Sequence, residues 1–205
     1  MLRKSTVQGV VMAVASIALA AGCSGTGNAT DDATKDPFAP TGAPSEFEQI
    51  AGAEGEDVPL GSGLSVVVPA GSTAEPVVSK VAGSEFVMYR MPDADAEGFP
   101  VLQLSWGKSD VGAIEGSWTH ETTMTASKVV SDYERSSVTW PGADVAVTAT
   151  WTEEIARDSG TIVADAAALW FDAPDGTKGV VMVFVQEGTL EGSTALDALQ
   201  TLTIG

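Results

Sequence analysis

The sequence predicts an α+β domain, an antiparallel β-sheet of about seven strands flanked by helices. Two observations lead to this fold class. Within residues 143–154, apolar side chains alternate with threonines, as expected of a strand with one buried face. Residues 161–172 and 179–187 are apolar on both faces, as central strands of a sheet are. Because such strands need cover on each side, we expect helices on both faces of the sheet.

The strands are predicted where short apolar or β-branched runs end at turn residues. Pro69-Ala70-Gly71 closes the first run, Pro141-Gly142 forms a hairpin turn, and Pro174-Asp175-Gly176 separates the last pair. The predicted strands are 64–68, 85–91, 101–106, 135–140, 143–154, 161–172 and 179–187.

Two helices are predicted among these strands. Residues 118–133 lack glycine and proline, and their apolar side chains recur at helical spacing between 126 and 133. Ser193 is a suitable N-cap for a closing helix that contains Leu196 and Leu199.

The first residues have the layout of a secretory signal. Arg3 and Lys4 supply a positive start, and residues 7–21 form an apolar run without a charge. A spanning helix needs about 20 apolar residues, so this run is too short for a permanent span.

The end of this run is the short motif Leu19-Ala20-Ala21-Gly22-Cys23. It resembles the lipobox of bacterial lipoproteins, in which the cysteine becomes the first residue and carries a thioether-linked diacylglycerol. That family most often has leucine three residues before the cysteine, whereas Ala20 stands there and Leu19 one further back. The resemblance implies cleavage between Gly22 and Cys23, and lipidation of Cys23. An ordinary secretory signal with an incidental cysteine is the alternative.

We therefore divide the chain into a signal peptide (1–22), a lipidated cysteine with a flexible tether (23–60) and one globular α+β domain (61–205). The tether is rich in proline, small residues and acids, and offers little apolar area to offset the entropy of ordering. Ser45 and Glu48 have the spacing of a capping box, which allows one helical turn through Ile50.

The chain is strongly acidic, with 28 Asp and Glu, 10 Lys and Arg and a formal net charge of −18. Nucleic-acid binding requires clustered cations, so we exclude that class of partner. Anionic headgroups repel such a domain, so membrane residence must come from the lipid. The acids are interpreted as a solvated surface, with a cationic partner as the alternative. The single cysteine leaves no disulfide to form.

Three stretches suggest a family for the globular domain: Leu64 to Gly71, the hairpin Trp140 to Asp144, and the final helix Ser193 to Leu199. With the order of the elements, they resemble the PsbP-like fold, an α/β/α sandwich shared by an extrinsic photosystem subunit and LpqN-type actinobacterial lipoproteins. The resemblance implies a binding or accessory module and carries over no site residue.

No catalytic constellation is found in the sequence, so we expect neither an enzyme nor a cofactor. Ser105 and Lys108 have the spacing of penicillin-binding enzymes, but Ser105 lies on a predicted strand, not at a helix start. His120 is the only histidine, so a histidine-rich zinc site cannot be assembled. We expect His120 to be structural or exposed.

An acidic loop is the one weak candidate for a metal. Asp93, Asp95 and Glu97, followed by Gly98, imitate the first half of a calcium loop. The twelfth position is Leu104, which supplies no carboxylate. A solvated acidic loop is the expectation, and a weak cation site the alternative.

Two residues are candidates for binding. Trp140 is predicted to be exposed at a hairpin tip, where it would contribute to a protein-binding or glycan-binding patch. Asp165 interrupts an apolar strand, and a buried carboxylate needs a partner. We expect it to face solvent at a sheet edge, with Arg135 or Arg157 as conceivable partners.

These observations predict a non-catalytic, cell-surface lipoprotein on the extracytoplasmic face of the cell membrane. Its partners would be the membrane, through the diacylglycerol and palmitate of the anchor, and an unidentified envelope protein. The alternative is a carrier of a small apolar ligand in a cavity between sheet and helix.

Overall fold

Two antiparallel sheets and two helices make up the described part of this computed structural model, residues 36–45, 47–76, 83–157 and 160–205. The strands are β1 (Glu56–Gly61), β2 (Leu64–Val68), β3 (Thr73–Pro76), β4 (Ser84–Arg90), β5 (Val101–Lys108), β6 (Val130–Ser137), β7 (Val145–Arg157), β8 (Gly160–Asp172), β9 (Thr177–Gln186) and β10 (Thr203–Ile204), and the helices are α1 (Ala113–Ser127) and α2 (Thr194–Gln200). The seven-stranded sheet has the order β3-β4-β5-β9-β8-β7-β6, and the three-stranded sheet the order β1-β2-β10. Neither helix is long and apolar enough to cross a membrane.

The predicted fold class is confirmed. Strands β2, β4, β5, β7, β8 and β9 lie within a few residues of their predicted positions, and all neighbours in the large sheet are antiparallel. Strands β1, β3 and β10 were not predicted. They are short or poor in apolar side chains, so their sequences carry little strand signal.

The central strand β8 is buried on both faces. On one face, Ala164, Ala166, Ala168 and Trp170 lie beneath α1, which packs on β6, β7 and β8. On the other face, alternate residues such as Leu169 join the core formed with β2 and α2. The expectation of helices on both faces of the central strands is therefore confirmed.

The helix predicted over residues 118–133 is wrong in its second half. Helix α1 ends at Ser127, and its C-cap Lys128 has left-handed backbone angles (φ 59°) and donates its N–H to Thr125 O. Residues 130–137 are instead the edge strand β6, paired with β7. A few apolar residues at helical spacing are thus compatible with a strand when a neighbouring strand supplies the hydrogen bonds.

The start of α1 also differs from the prediction. Gly116 lies inside the helix, where a Cβ would make an ordinary van der Waals contact of 3.6 Å with the Trp170 ring. Gly112 precedes the helix and has no side chain to cap it. Asp172 on β8 supplies the cap, since its Oδ1 accepts a hydrogen bond of 2.8 Å from Ala113 N.

The predicted flexible tether is wrong for its second half, because residues 38–50 and β1 are part of the folded unit. We call residues 38–50 the strap. Its Phe47 stacks on Trp140 with 6.0 Å between ring centroids, and Phe38 lies 4.8 Å from the ring of Trp118. The few apolar side chains of this segment find partners only after the distant strands have assembled, so local composition underestimates its order.

Two backbone N–H groups of the strap are paired as well. Ser45 N donates to Ser137 O at 2.8 Å, and Ile50 N donates to Gln200 O at 3.0 Å. The described residues of the predicted helical turn, Ser45 and 47–50, are not helical; Ser45 Oγ accepts from Phe47 N two residues on.

Candidate functional site

Trp140 is buried, so the prediction that it is exposed is wrong. Its side chain is 2% exposed, and Nε1 donates a hydrogen bond of 3.0 Å to Leu202 O. The hairpin tip packs on β10, since a Cβ on Gly142 would be 1.9 Å from Ile204 O. With Phe47 across the other side of the ring, Trp140 offers no surface to a protein or a glycan.

Asp165 does not face solvent at a sheet edge, as the sequence suggested. It lies on β8, between β7 and β9. Its Oδ1 accepts from Thr152 Oγ1 at 2.9 Å, and its Oδ2 accepts from Gly188 N at 2.7 Å. Neither Arg135 nor Arg157 is its partner, so Asp165 serves to hold the loop that follows β9.

The acidic loop is held by a hydrogen bond within the loop and by bonds from β9 and α2. Asp95 accepts from Phe99 N at 3.0 Å and from the side-chain amide of Gln186, while Asp93 accepts from Thr194 Oγ1 at 3.2 Å. Burial raises the pKa of Asp95, but hydrogen bonds from the Gln186 side chain and from the backbone of Phe99, Gly98 and Glu97 outweigh burial and hold the pKa below its usual value.

No metal centre is formed by the acidic loop. Within the ranges that the structure describes, no three His, Cys, Asp or Glu side chains converge as metal ligands. Asp93, Asp95 and Glu97 therefore give the alternative of a cation site no geometric support.

Ser105 and Lys108 do not form a catalytic pair. Three positions apart on β5, they point to opposite faces of the sheet. Lys108 Nζ instead bonds Asp175, at 2.6 Å to its backbone O and 3.2 Å to Oδ2, and Thr177 Oγ1 at 3.2 Å. These bonds from Lys108 hold the turn between β8 and β9.

The only histidine, His120, is a residue of α1, and its side chain belongs to an aromatic cluster. Nδ1 of His120 is 2.8 Å from Tyr133 Oη, and its ring centroid is 4.9 Å from that of Trp151 and 5.4 Å from that of Trp170. Burial lowers the pKa of His120 to about 4, so the imidazole is neutral at pH 7. Burial, with a smaller contribution from Glu121, raises the pKa of Tyr133. The sequence showed the two residues but not that they meet.

An ion pair joins α1 to the edge strand beside this cluster. Arg135 on β6 is 8% exposed, and its Nε lies 3.0 Å from Glu121 Oε2. Nη1 of Arg135 donates to Ile114 O and Ser117 Oγ, each at 3.1 Å. The side chains of this cluster are thus engaged with one another: His120 with Tyr133 and the surrounding rings, and Arg135 with Glu121 and Ser117.

The space between the two sheets is small. The void there, lined by Leu60, Leu64, Leu104 and Phe171 among others, leaves no room for a water molecule. Sites for small molecules have about 300–1,000 Å³. The void gives the carrier hypothesis no support.

Gly22 and Cys23 lie outside the described residues, so the lipidation and cleavage sites remain sequence predictions. Searches with the sequence find no matching family model and no matching curated protein.

Proposed function

We propose that the chain is a non-catalytic binding or accessory lipoprotein, anchored through Cys23 to the outer face of the cytoplasmic membrane. The observation that carries this proposal is the motif Leu19 to Cys23 at the end of an uncharged apolar run. Two acyl chains, at about 0.8 kcal/mol per buried methylene, anchor a protein stably, whereas one binds marginally.

The arrangement of the candidate residues supports the non-catalytic part of the proposal. Ser105 and Lys108 point apart, and His120 is held by Tyr133 among aromatic rings. Lys108 instead contacts the hydroxyl of Thr177. Thr177 is 1% exposed, so a substrate has no access to this hydroxyl. A hydrolase would need its nucleophile and base together in a cleft.

The PsbP-like and LpqN-type resemblance is part of this proposal. The antiparallel sheet with a helix on each face is compatible with the layered architecture that it implies. A helix on each face of a sheet is shared by many unrelated proteins, so the resemblance depends on the residues quoted for it.

Metabolic labelling with an alkyne analogue of palmitate tests the anchor. The wild-type chain should be labelled and recovered with membranes, and Cys23→Ser should be unlabelled and recovered without them. Ser24→Ala is the matched control and should behave as the wild type. An unlabelled wild-type chain would refute the proposal.

The choice between a binding module and a carrier requires a second experiment. Native mass spectrometry of protein purified from its own membranes should show the mass of the acylated chain alone. An additional apolar ligand that survives purification and is lost on denaturation would favour the carrier.

A further inference from the structure

One arginine of this acidic chain differs from the others in its surroundings. Nη2 of Arg90 lies 3.0 Å from Glu75 Oε1, and Nε of Arg135 lies 3.0 Å from Glu121 Oε2. Within the same described ranges, Arg157 forms no ion pair. This is unexpected in a chain with 28 acidic and only 10 basic residues, where most cations should find a carboxylate.

The unpaired atoms of Arg157 form one edge of its guanidinium. Nε and Nη2 are both buried, and neither has a hydrogen-bond partner in the part of the chain that the structure describes. The N–H bonds of these two nitrogens point in parallel from the same edge, which is the fork that binds both oxygens of a carboxylate. Buried donors without an acceptor are rare, because they have lost their bonds to water. The edge is therefore suited to an oxyanion that the described residues do not supply.

Arg157 lies at the outer end of the large sheet. Strand β6 pairs with β7 only as far as Glu153, and β9 pairs with β8 only as far as Ala164. Beyond these residues, β7 and β8 continue as a two-stranded arm to the pair of Arg157 and Gly160, and no other described strand lies beside it. Arg157 as a whole is only partly buried. Its long side chain can turn the fork towards solvent without a change in the backbone.

Apolar side chains lie beside the guanidinium. Cζ of Arg157 is 5.8 Å from the centre of the buried Phe99 ring, a cation–π contact. Ile155, two residues earlier on the same face of β7, is paired with Ile162 of β8, and both are partly exposed. Apolar surface next to the fork favours a carboxylate on an apolar carrier over phosphate, whose larger charge is more costly to desolvate.

Two carboxylates on neighbouring segments are engaged elsewhere. Oε2 of Glu153, on the same face of β7, accepts from Trp151 Nε1 at 3.2 Å. Asp95, in the loop that carries Phe99, accepts from Phe99 N and from the side chain of Gln186. Their charges oppose the approach of a free anion, so a ligand has to be held by direct contact with the fork.

We propose that Arg157 is the anchor of a binding site for an organic carboxylate with an apolar group beside it. The carboxylate takes both N–H groups of the fork, and its apolar part lies along Ile155 and Ile162. This inference deepens the proposed binding role by naming a ligand class, and it does not depend on the anchor at Cys23.

The test follows the Nε–H signals of the arginines by NMR in the purified, isotope-labelled chain. The chain is titrated at constant ionic strength with hexanoate, with the capped peptide acetyl-Leu-Glu-Leu-amide and with inorganic phosphate. The signal of Arg157 should shift and saturate, while those of Arg90 and Arg135 stay in place. Hexanoate or the peptide should act at lower concentration than phosphate, and the tighter of the two shows whether the carboxylate comes from a small molecule or from an acidic side chain of a protein.

Two variants separate the fork from the charge. Arg157→Lys keeps the charge without the fork, so the carboxylates should bind about tenfold more weakly, as followed by the backbone amide of Gly160. Arg90→Lys is the matched control, and it should bind as the wild type does.

The outcomes that overturn the site are distinct from those that overturn the anchor. An equal shift of all the arginine signals, no shift of Arg157, or equal binding by Arg157→Lys and the wild type would overturn the site. Tighter binding of phosphate than of either carboxylate would overturn the ligand class. A chain that binds the carboxylate but takes up no palmitate analogue would refute the anchor and leave this inference standing.

Discussion

Replacing His120 with glutamine should remove the loss of folding stability that protonation of this imidazole causes between pH 7 and pH 4.5. The imidazole lies among aromatic rings, and its burial lowers the pKa to about 4 from the ordinary value of 6.5. Between these values the unfolded chain binds a proton that the folded chain does not. The contribution of His120 to the free energy of unfolding is therefore fully present above pH 6.5 and is lost as the pH falls towards 4.

The size of the effect follows from the two pKa values. A difference of about 2.5 in pKa corresponds to about 3 kcal/mol at low pH, and about 2.5 kcal/mol of this is lost between pH 7 and pH 4.5. Since His120 is the only histidine, no other imidazole contributes to this window.

A neighbouring carboxyl group acts in the opposite direction in the same pH window. Burial raises the pKa of Glu153, against a hydrogen bond from Trp151, so the folded state binds its proton more readily. Glu153 therefore stabilises the fold as the pH falls, opposite in sign to His120. The raised pKa of Tyr133 keeps its hydroxyl protonated throughout, and Arg135 and Glu121 are paired with each other.

The assay is urea unfolding of an untagged chain, followed by tryptophan fluorescence between pH 7 and pH 4.5. Between pH 7 and pH 4.5, the free energy of unfolding of the wild-type chain should fall by about 2.5 kcal/mol, reduced by the opposing effect of Glu153. Over the same interval, the free energy of unfolding should fall little in His120→Gln and should fall more in Glu153→Gln than in the wild-type chain. An equal loss in the wild type and in His120→Gln would refute the reasoning.

Three further substitutions test contacts that hold the fold. Asp172→Ala removes the cap of α1 and should cost about 1 kcal/mol in urea unfolding, whereas Asp144→Ala, an exposed control, should cost little. Trp140→Phe removes one of the two donors to Leu202 O and leaves the other, Gln49 Nε2, so it should cost about 0.5–1.5 kcal/mol in urea unfolding. Trp140 in the wild-type chain should be shielded from acrylamide, and quenching of its fluorescence would contradict its burial. Asp165→Ala frees the amide of Gly188, so limited proteolysis should cut the loop after β9 faster; an unchanged rate would contradict its anchoring role.

The strands were predictable because their signal is local. In β7, apolar and polar side chains alternate along consecutive residues. This alternation puts the apolar side chains on one face of the strand, whatever its position in the sheet. The same holds for Ser193, whose Oγ accepts from Leu196 N three residues on, as its sequence position suggested. Both predictions need no knowledge of distant residues.

The errors occurred where a distant residue decides the outcome. Trp140 appeared exposed because it stands beside a turn, yet Leu202 and Phe47, far away in sequence, enclose it. The start of α1 was missed because its cap comes from Asp172, across the sheet. No window of sequence contains both members of these pairs.

The sequence by itself determined the mixed fold class, the long strands and the closing helix, because side-chain periodicity and local caps act over a few residues. It is also the whole basis for the proposed anchor at Cys23. Only the tertiary structure decided which tryptophans are buried, that Asp165 holds a loop, and that the strap is docked. Those outcomes depend on hydrogen bonds and ring contacts that exist only once the chain has brought distant segments together.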